Sequence, residues 1–221
     1  MLRQRMYLAA WLTVASILAT GCSLLQVPFF LIYGEPKVDP KLKALESGKV
    51  VILTSMPGEI RPEFLRIDRE LTSRLVRQMS RLNEENNKGR LEIVPSKKVE
   101  KFKDENPDWQ TLDMKEIGKY FDADYVISLE ILSVDLYEKG AGTYMYRGQI
   151  EIDVEVFDMK DENGEPVYDT FNVEYPPRPR GSIPSDDQSP RQFRQRFLDH
   201  VAQRLAWWFL PHTIREQYQS L

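Results

Sequence analysis

Few residues in this 221-residue chain have the types needed for catalysis. The two histidines are His200 and His212, and Asp199 directly precedes the first of them. Neighbouring residues on a helix point about 100° apart, so Asp199 and His200 cannot share a face and form a relay. Two histidines on either side of a proline-bent helix end also make a weak set of metal ligands. The histidines therefore predict neither a catalytic site nor a metal site.

One row of acidic residues has side chains suited to acid–base chemistry. Glu151, Asp153 and Glu155 alternate with apolar residues, so on a strand they share one face. Paired carboxylates can hydrolyse glycosidic bonds, and a hydrolase of cell-wall carbohydrate is the alternative that this row supports. A solvated sheet face explains the same pattern, because nothing near in sequence would desolvate one carboxylate. We therefore predict a protein that is not an enzyme, with no cofactor, no metal and no small-molecule substrate.

The charge balance gives no support for nucleic-acid binding. The chain has 30 Lys and Arg against 34 Asp and Glu, a formal net charge of -4. Proteins that bind nucleic acid present a basic surface to the phosphates. No nucleic-acid partner is expected.

The N-terminus has the order of an export signal. Arg3 and Arg5 precede an apolar stretch at residues 6–19, which ends close to Cys22, the single cysteine of the chain. That stretch is short for a transmembrane helix. The small residues before Cys22 resemble the bacterial lipoprotein box, which implies that Cys22 is acylated and becomes the first mature residue. A second apolar stretch, residues 24–32, leaves an uncleaved membrane anchor as the alternative.

These signals predict how the chain is divided. The predicted parts are a signal peptide at 1–21, a lipidated tether at 22–48, one α/β domain at 49–212 and a polar tail at 213–221. Within the domain, the proline- and serine-rich residues 176–190 are predicted to form a flexible loop. Ser23, after the cysteine, resembles the sorting signal of outer-membrane lipoproteins. This resemblance implies a domain that faces the periplasm and is anchored to the outer membrane.

The spacing of apolar residues predicts an α/β (α+β) domain. Apolar runs at 49–54 and 91–94 indicate buried parallel strands, with residues at helical spacing between them. Two long extended runs, 125–137 and 143–157, are joined by a short glycine-rich turn and should pair antiparallel. The predicted order is a βαβαβ start that continues into an antiparallel meander, with helices on a mixed sheet. A C-terminal helix at 193–209 is predicted to return to the sheet.

Three local features allow more specific predictions. Pro62 is predicted to open the first long helix, where its missing N–H is not needed. Glu70 is predicted to pair with Arg66 or Arg74, one helical turn away. The apolar pattern changes phase within the first long strand, which predicts a β-bulge near Ile131–Ser133.

The tryptophan pair near the C-terminus is the candidate partner-binding site. Trp207 and Trp208 point in different directions on a helix, and Trp208 is in line with Val201 and Leu205. We predict that Trp208 is in the core and that Trp207 is exposed beside Arg204. An exposed tryptophan next to an arginine is typical of an interaction hot spot. Packing of Trp207 over the edge of the sheet is the alternative.

The order of motifs resembles a known envelope family. Residues 117–127, Ile-Gly-Lys-Tyr-Phe-Asp-Ala-Asp-Tyr-Val-Ile, are typical of a helix that ends near Ala-Asp-Tyr and leads into a strand. A later strand ends at Phe157-Asp158, before a turn that contains Gly164. Over residues 49–175 this pattern is similar to the TolB amino-terminal-like domain of LpoB-type lipoproteins and of the curli secretion lipoprotein CsgG. The resemblance implies a non-catalytic binding or assembly module with protein partners in the cell envelope. A secretion-channel subunit is a further alternative.

Overall fold

The computed structural model describes residues 36–42, 45, 47–58, 61–161, 165–178 and 180–219. The chain divides into two compact units, Met1–Lys37 and Val38–Leu221, and the second contains the sheet and helices described below. Cys22 and the predicted signal peptide lie outside the described residues.

A six-stranded mixed sheet forms the centre of the second unit. Its strands are β1 (Gly48–Ser55), β2 (Leu91–Ile93), β3 (Tyr125–Tyr137), β4 (Met145–Asp158), β5 (Val167–Tyr175) and β6 (Ile183–Pro184). The spatial order is β2-β1-β3-β4-β5, and β6 pairs with β4. Strand β1 is parallel to β2 and β3, whereas β3, β4 and β5 are antiparallel. The predicted parallel start and antiparallel continuation are confirmed.

Five α-helices accompany the sheet in the described residues. They are α1 (Ile67–Asn86), α2 (Ser96–Glu105), α3 (Met114–Phe121), α4 (Pro190–Phe209) and α5 (Ile214–Gln219). Short 3-10 turns lie at Pro62–Phe64 and Trp109–Thr111, and two-residue strands at Lys37–Val38 and His212–Thr213 lie outside the main sheet. Among the described residues, no helix has the length and apolar character to span a bilayer.

The long hairpin of β3 and β4 connects the parallel and antiparallel parts of the sheet. Its register shifts between Ile131 and Ser133, which confirms the predicted bulge. A second shift lies between Asp135 and Tyr137. There the Asp135 carboxylate accepts hydrogen bonds from the amides of Leu136 and Tyr137, at 2.7 and 3.0 Å. The carboxylate thus satisfies backbone donors where the ladder is irregular.

The two faces of the sheet are covered differently, and we call them the sealed face and the open face. Residues that alternate along each strand enter two separate cores. On the sealed face, Val50 and Ile52 of β1 pack in one core with α1 and α4. On the open face, Val51 and Leu53 pack in a smaller core with α2 and α3. That smaller core extends to Val126 on β3 and to the partly buried Phe157 on β4, and no helix among the described residues contributes to it beyond these positions.

The first long helix begins later than predicted. Pro62 opens the 3-10 turn, and α1 begins at Ile67 after Arg66 adopts a left-handed backbone conformation with φ of 63°. The predicted partner of Glu70 is also wrong, because its carboxylate pairs with Arg194 of α4 at 2.7 Å. Arg74 likewise pairs with α4, through Asp199. Helix periodicity does not show which distant helix lies alongside, so it predicts only pairs within one helix.

Two segments predicted to be irregular contain regular structure. In the 176–190 loop, β6 pairs with the start of β4, and Ser189 forms a capping box with Gln192 at the start of α4. The predicted polar tail at 213–221 contains α5, whose Glu216 pairs with Arg81 of α1 at 2.8 Å. Proline and polar composition predicts loops, but caps and ion pairs to distant elements order these two segments locally.

Candidate functional site

The antiparallel half of the open face carries an acidic patch, which we define as Glu130, Glu151, Asp153 and Glu155. Strand register places Glu130 opposite Asp153, and Asp153 opposite Thr170 of β5. Tyr168 lies opposite Glu155 and is 57% exposed. The sequence identified three of the four carboxylates as one face. Glu130, Tyr168 and Thr170 were missed because they come from other strands and join the row only through the register.

The acidic patch brings carboxylates of like charge together on two neighbouring strands. Thr170 donates a hydrogen bond to Asp153 at 2.9 Å, and the hydroxyls of Tyr168 and Thr170 are 3.3 Å apart. Partial burial raises the pKa of Glu155, and the nearby charges of Glu130 and Asp153 raise it further. Crowded carboxylates of one sign create a negative potential that attracts cationic groups.

The acidic row does not converge on a single groove. A groove of about 410 Å³ beside the patch is lined by Glu151 together with Lys139, but not by Asp153 or Glu155. The three predicted carboxylates lie along one strand, on a surface that β5 continues. A glycosidase places its two carboxylates on opposite sides of the bond to be cleaved. The structure brings the predicted residues onto one face and does not gather all three in this groove.

At the carboxyl end of β1, the chain's own side chains occupy the position where many α/β proteins bind a ligand. Lys103 of α2 is buried, and its Nζ donates to the Thr54 carbonyl at 2.7 Å. Asp68 Oδ2 lies 3.5 Å from that Nζ, and the Trp109 ring centroid lies 4.8 Å away. Burial lowers the pKa of Lys103, while the charges of Asp68 and Glu100 oppose the shift. The cluster joins α1, α2 and β1 by buried charges.

The predicted exposure of the tryptophan pair is wrong. Trp207 is only 5% exposed, and its indole stacks on the His212 imidazole with ring centroids 4.5 Å apart. Trp208 is partly buried, with Lys41 Nζ 3.9 Å from its ring centroid. The chain after Pro211 folds back over α4 and buries the side that helix periodicity predicts to be exposed. A partner-binding role for Trp207 and Arg204 stays a prediction, without the exposure that motivated it.

The two histidines are both buried and serve no shared site. Burial lowers the pKa of His200 to about 4, and the Arg204 charge contributes in the same direction. Asp199 points to Arg74 rather than to His200. Burial also lowers the pKa of His212. Within the described ranges, no group of three or more His, Cys, Asp or Glu side chains is arranged to hold a metal ion.

Several solved structures are similar to this chain. It matches no protein-family model and no curated protein sequence. The lipoprotein GNA1162 from Neisseria meningitidis is 11% identical, covering 72% of this chain and 97% of its own, with a TM-score of 0.40. The PelC dodecamer from Paraburkholderia phytofirmans is 13% identical over 79% and 93%, with a TM-score of 0.40. Protein XCC0632 from Xanthomonas campestris is 15% identical over 83% and 91%, with a TM-score of 0.42. No function is transferred from them to this chain.

Proposed function

We propose that this protein is a non-catalytic binding or assembly module of the bacterial cell envelope, held at the membrane by a lipid on Cys22. The observation that carries the proposal is the antiparallel part of the open face beyond Phe157, where no described helix contributes to the core. There, β3, β4 and β5 present the acidic patch and Tyr168 on a sheet fixed from behind by α1 and α4. A rigid, partly exposed sheet face with tyrosine at its surface suits protein recognition.

The partner that fits this surface is a protein with a basic face. Four carboxylates on neighbouring strands create a negative field that speeds association with a positive surface and disfavours acidic ones. The N-terminal signal supports an outer-membrane anchor with the domain facing the periplasm. The motif order supports membership of the TolB amino-terminal-like group, whose members bind or assemble rather than catalyse.

The first test locates the partner on the surface. A photo-crosslinking residue is placed at Thr170 on the open face of the full chain in its native membrane. A matched variant carries it at Glu84, an exposed position on α1. We expect a protein adduct of defined mass from Thr170 and none from Glu84. An adduct from Glu84 alone, or from neither position, would contradict the proposed surface.

A second test separates the binding module from a hydrolase. Glu155 is the residue that favours the hydrolase, because its raised pKa is a property of general acids. Purified cell-wall carbohydrate is incubated with the wild type and with the variant Glu151→Gln/Asp153→Asn/Glu155→Gln. We expect equal, background release of soluble sugar from both. Release by the wild type that the variant lacks would establish the hydrolase in place of our proposal.

The anchor is tested independently of the surface. Cells labelled with a fatty acid should incorporate the label into the wild type and not into Cys22→Ala. The variant should accumulate as unprocessed precursor or as protein released from the membrane. If the wild type takes up no label, an uncleaved signal anchor replaces the lipid.

A further inference from the structure

A cavity of about 380 Å³ lies at the other end of the open face from the acidic patch. It is formed where the β2 edge of the sheet meets the first turns of α2 and the last turn of α3. Its volume is within the range of small-molecule sites in proteins. The lining residues are Lys49, Glu92, Val94, Pro95, Lys98, Lys101, Tyr120 and Phe121.

One wall of the cavity is an exposed aromatic ring that is held in place. Tyr120 is 61% exposed, although its ring packs against Phe102 at 4.8 Å and against Phe121 at 5.0 Å between centroids. Both phenylalanines are buried, and so is Val94 beside them. A ring supported on two sides loses little further freedom when a ligand stacks on it, so this wall is preorganised.

The charge of the lining is positive, in contrast with the chain as a whole. Three lysines face one glutamate in the lining, while the whole chain has a net charge of -4. Lys49 lies 3.6 Å from Glu92, and Lys101 lies 3.6 Å from Glu105. Lys98 is exposed and forms no ion pair within the described part of the chain. Lys98 therefore places a positive charge in the cavity lining that no ion pair within the described residues neutralises.

The start of α2 adds to this positive charge. Its first turn carries Lys98 of the cavity lining, with no acidic residue and no side-chain cap. A lysine at this end of a helix is unfavourable, because the helix dipole already places partial positive charge there. An anion bound in the cavity would offset both the dipole and the charge of Lys98.

We propose that this cavity binds a small anion that carries a ring, such as a phosphorylated or carboxylated sugar or arene. The anionic group lies against Lys98 and Lys101, and a flat face of the ring stacks on Tyr120. Binding involves no reaction. The site is separate from the acidic patch and does not depend on the function proposed above.

The test compares ligands that differ in ring and charge. Dissociation constants are measured by calorimetry on the full chain in detergent micelles, for inorganic phosphate, phenyl phosphate, glucose 6-phosphate and glucose. We expect at least one of the two ring phosphates to bind about tenfold more tightly than inorganic phosphate, with no saturable binding of glucose. The tighter of the two identifies the ring as aromatic or sugar. Equal affinities for all three phosphates, or binding of none, would overturn the proposal.

Matched variants distinguish the cavity from general attraction to a basic helix. Tyr120→Ala should weaken the tighter-binding ring phosphate about tenfold and leave inorganic phosphate unchanged, whereas Lys98→Gln should weaken every phosphate about tenfold. The controls are Lys97→Gln, in the same turn but outside the lining, and Tyr144→Ala, a tyrosine that is 77% exposed and also outside it. Both should bind as the wild type does. Equal losses from Lys97→Gln and Lys98→Gln would refute the site, and thermal melts confirm that each variant is folded.

Discussion

The two faces of the same sheet differ in how much of their surface the helices bury. On the sealed face, α1 and α4 bury the apolar positions that β1, β3 and β4 direct towards them, and Tyr125 and Tyr137 are the residues of these strands that are only partly buried against this core. On the open face, the core beneath α2 and α3 reaches only to Val126 and Phe157 in the described residues, and charged or aromatic side chains stay accessible on both sides of it. Burial on one face stabilises the sheet, so the other can keep polar groups that do not favour folding.

The largest expected effect comes from truncating a ring in the sealed face. Phe197 is fully buried, stacks near Phe193, and occupies the space that a Cβ on Gly148 would need. Phe197→Ala should lower the free energy of unfolding by about 3–5 kcal/mol, through lost burial and the cavity left behind. Urea denaturation measures this. The matched open-face change, Tyr168→Ala, should stay within about 0.5 kcal/mol. A similar loss from both would mean that the two faces are equally part of the core.

The next effect tests whether the buried Lys103 cluster belongs with the core. Lys103→Met leaves Asp68 and Glu100 without their buried cation, and removing one partner of such a pair costs about 3 kcal/mol. Lys101→Met on the same helix removes only an exposed pair with Glu105 and should cost less than about 1 kcal/mol. Urea denaturation at neutral pH compares the two. If Lys103→Met is neutral, the cluster stabilises nothing and its charges are available for another role.

The secondary-structure elements that the sequence predicts correctly are those whose pattern lies within a single segment. The hairpin, its bulge at Ile131–Ser133 and the strand at 167–175 were predictable, because alternation and turn residues lie within the segment they describe. The parallel start was predictable as well, because βαβ units have few permitted connections. These elements required no knowledge of distant residues.

The candidate sites were less predictable, because residues distant in sequence form them. The burial of Trp207 depends on His212 folding back, and the Glu70–Arg194 pair depends on α1 lying beside α4. Tyr120 and Lys98 meet in one cavity only because α2 and α3 pack on the same half of the open face. Periodicity assigns each side chain to a face of its own element and leaves its neighbours unspecified.

A pH-dependent effect sharpens the contrast between the faces. His200 is buried on α4 with a pKa of about 4, below the unfolded value of 6.5, so the folded state favours its neutral form. Above pH 6.5, His200 is neutral in both states and costs the folded state nothing. As the pH falls from 6.5 towards 4, the unfolded chain binds a proton that the folded state excludes, and the free energy of unfolding falls by about 3 kcal/mol at most. We therefore expect stability measured by urea denaturation to fall more steeply over this range in the wild type than in His200→Gln. Parallel curves for the two proteins would show that His200 is hydrated in the folded state.

The smallest expected effect lies on the open face, and it is a gain of stability rather than a loss. The pKa of Glu155 is raised by burial and by Glu130 and Asp153, so the folded state disfavours the ionised form of this carboxylate. A raised carboxyl pKa reduces stability as the pH rises through the folded pKa. Glu155→Gln should therefore increase the free energy of unfolding at pH 7 by a few tenths of a kcal/mol, after screening by solvent.

The stability gained by Glu155→Gln should shrink in about 0.5 M salt. The screening length there is shorter than the roughly 10 Å found at about 0.1 M, so like charges on the surface repel each other less. The gain should also vanish below about pH 4, where the wild-type carboxyl is protonated. Glu84→Gln, an exposed change on α1, serves as the control and should not alter stability. A loss of 1 kcal/mol or more from Glu155→Gln would mean that this carboxylate has an attractive partner within the fold. The acidic patch would then stabilise the sheet, and the contrast between a stabilising sealed face and a polar open face would fail at Glu155.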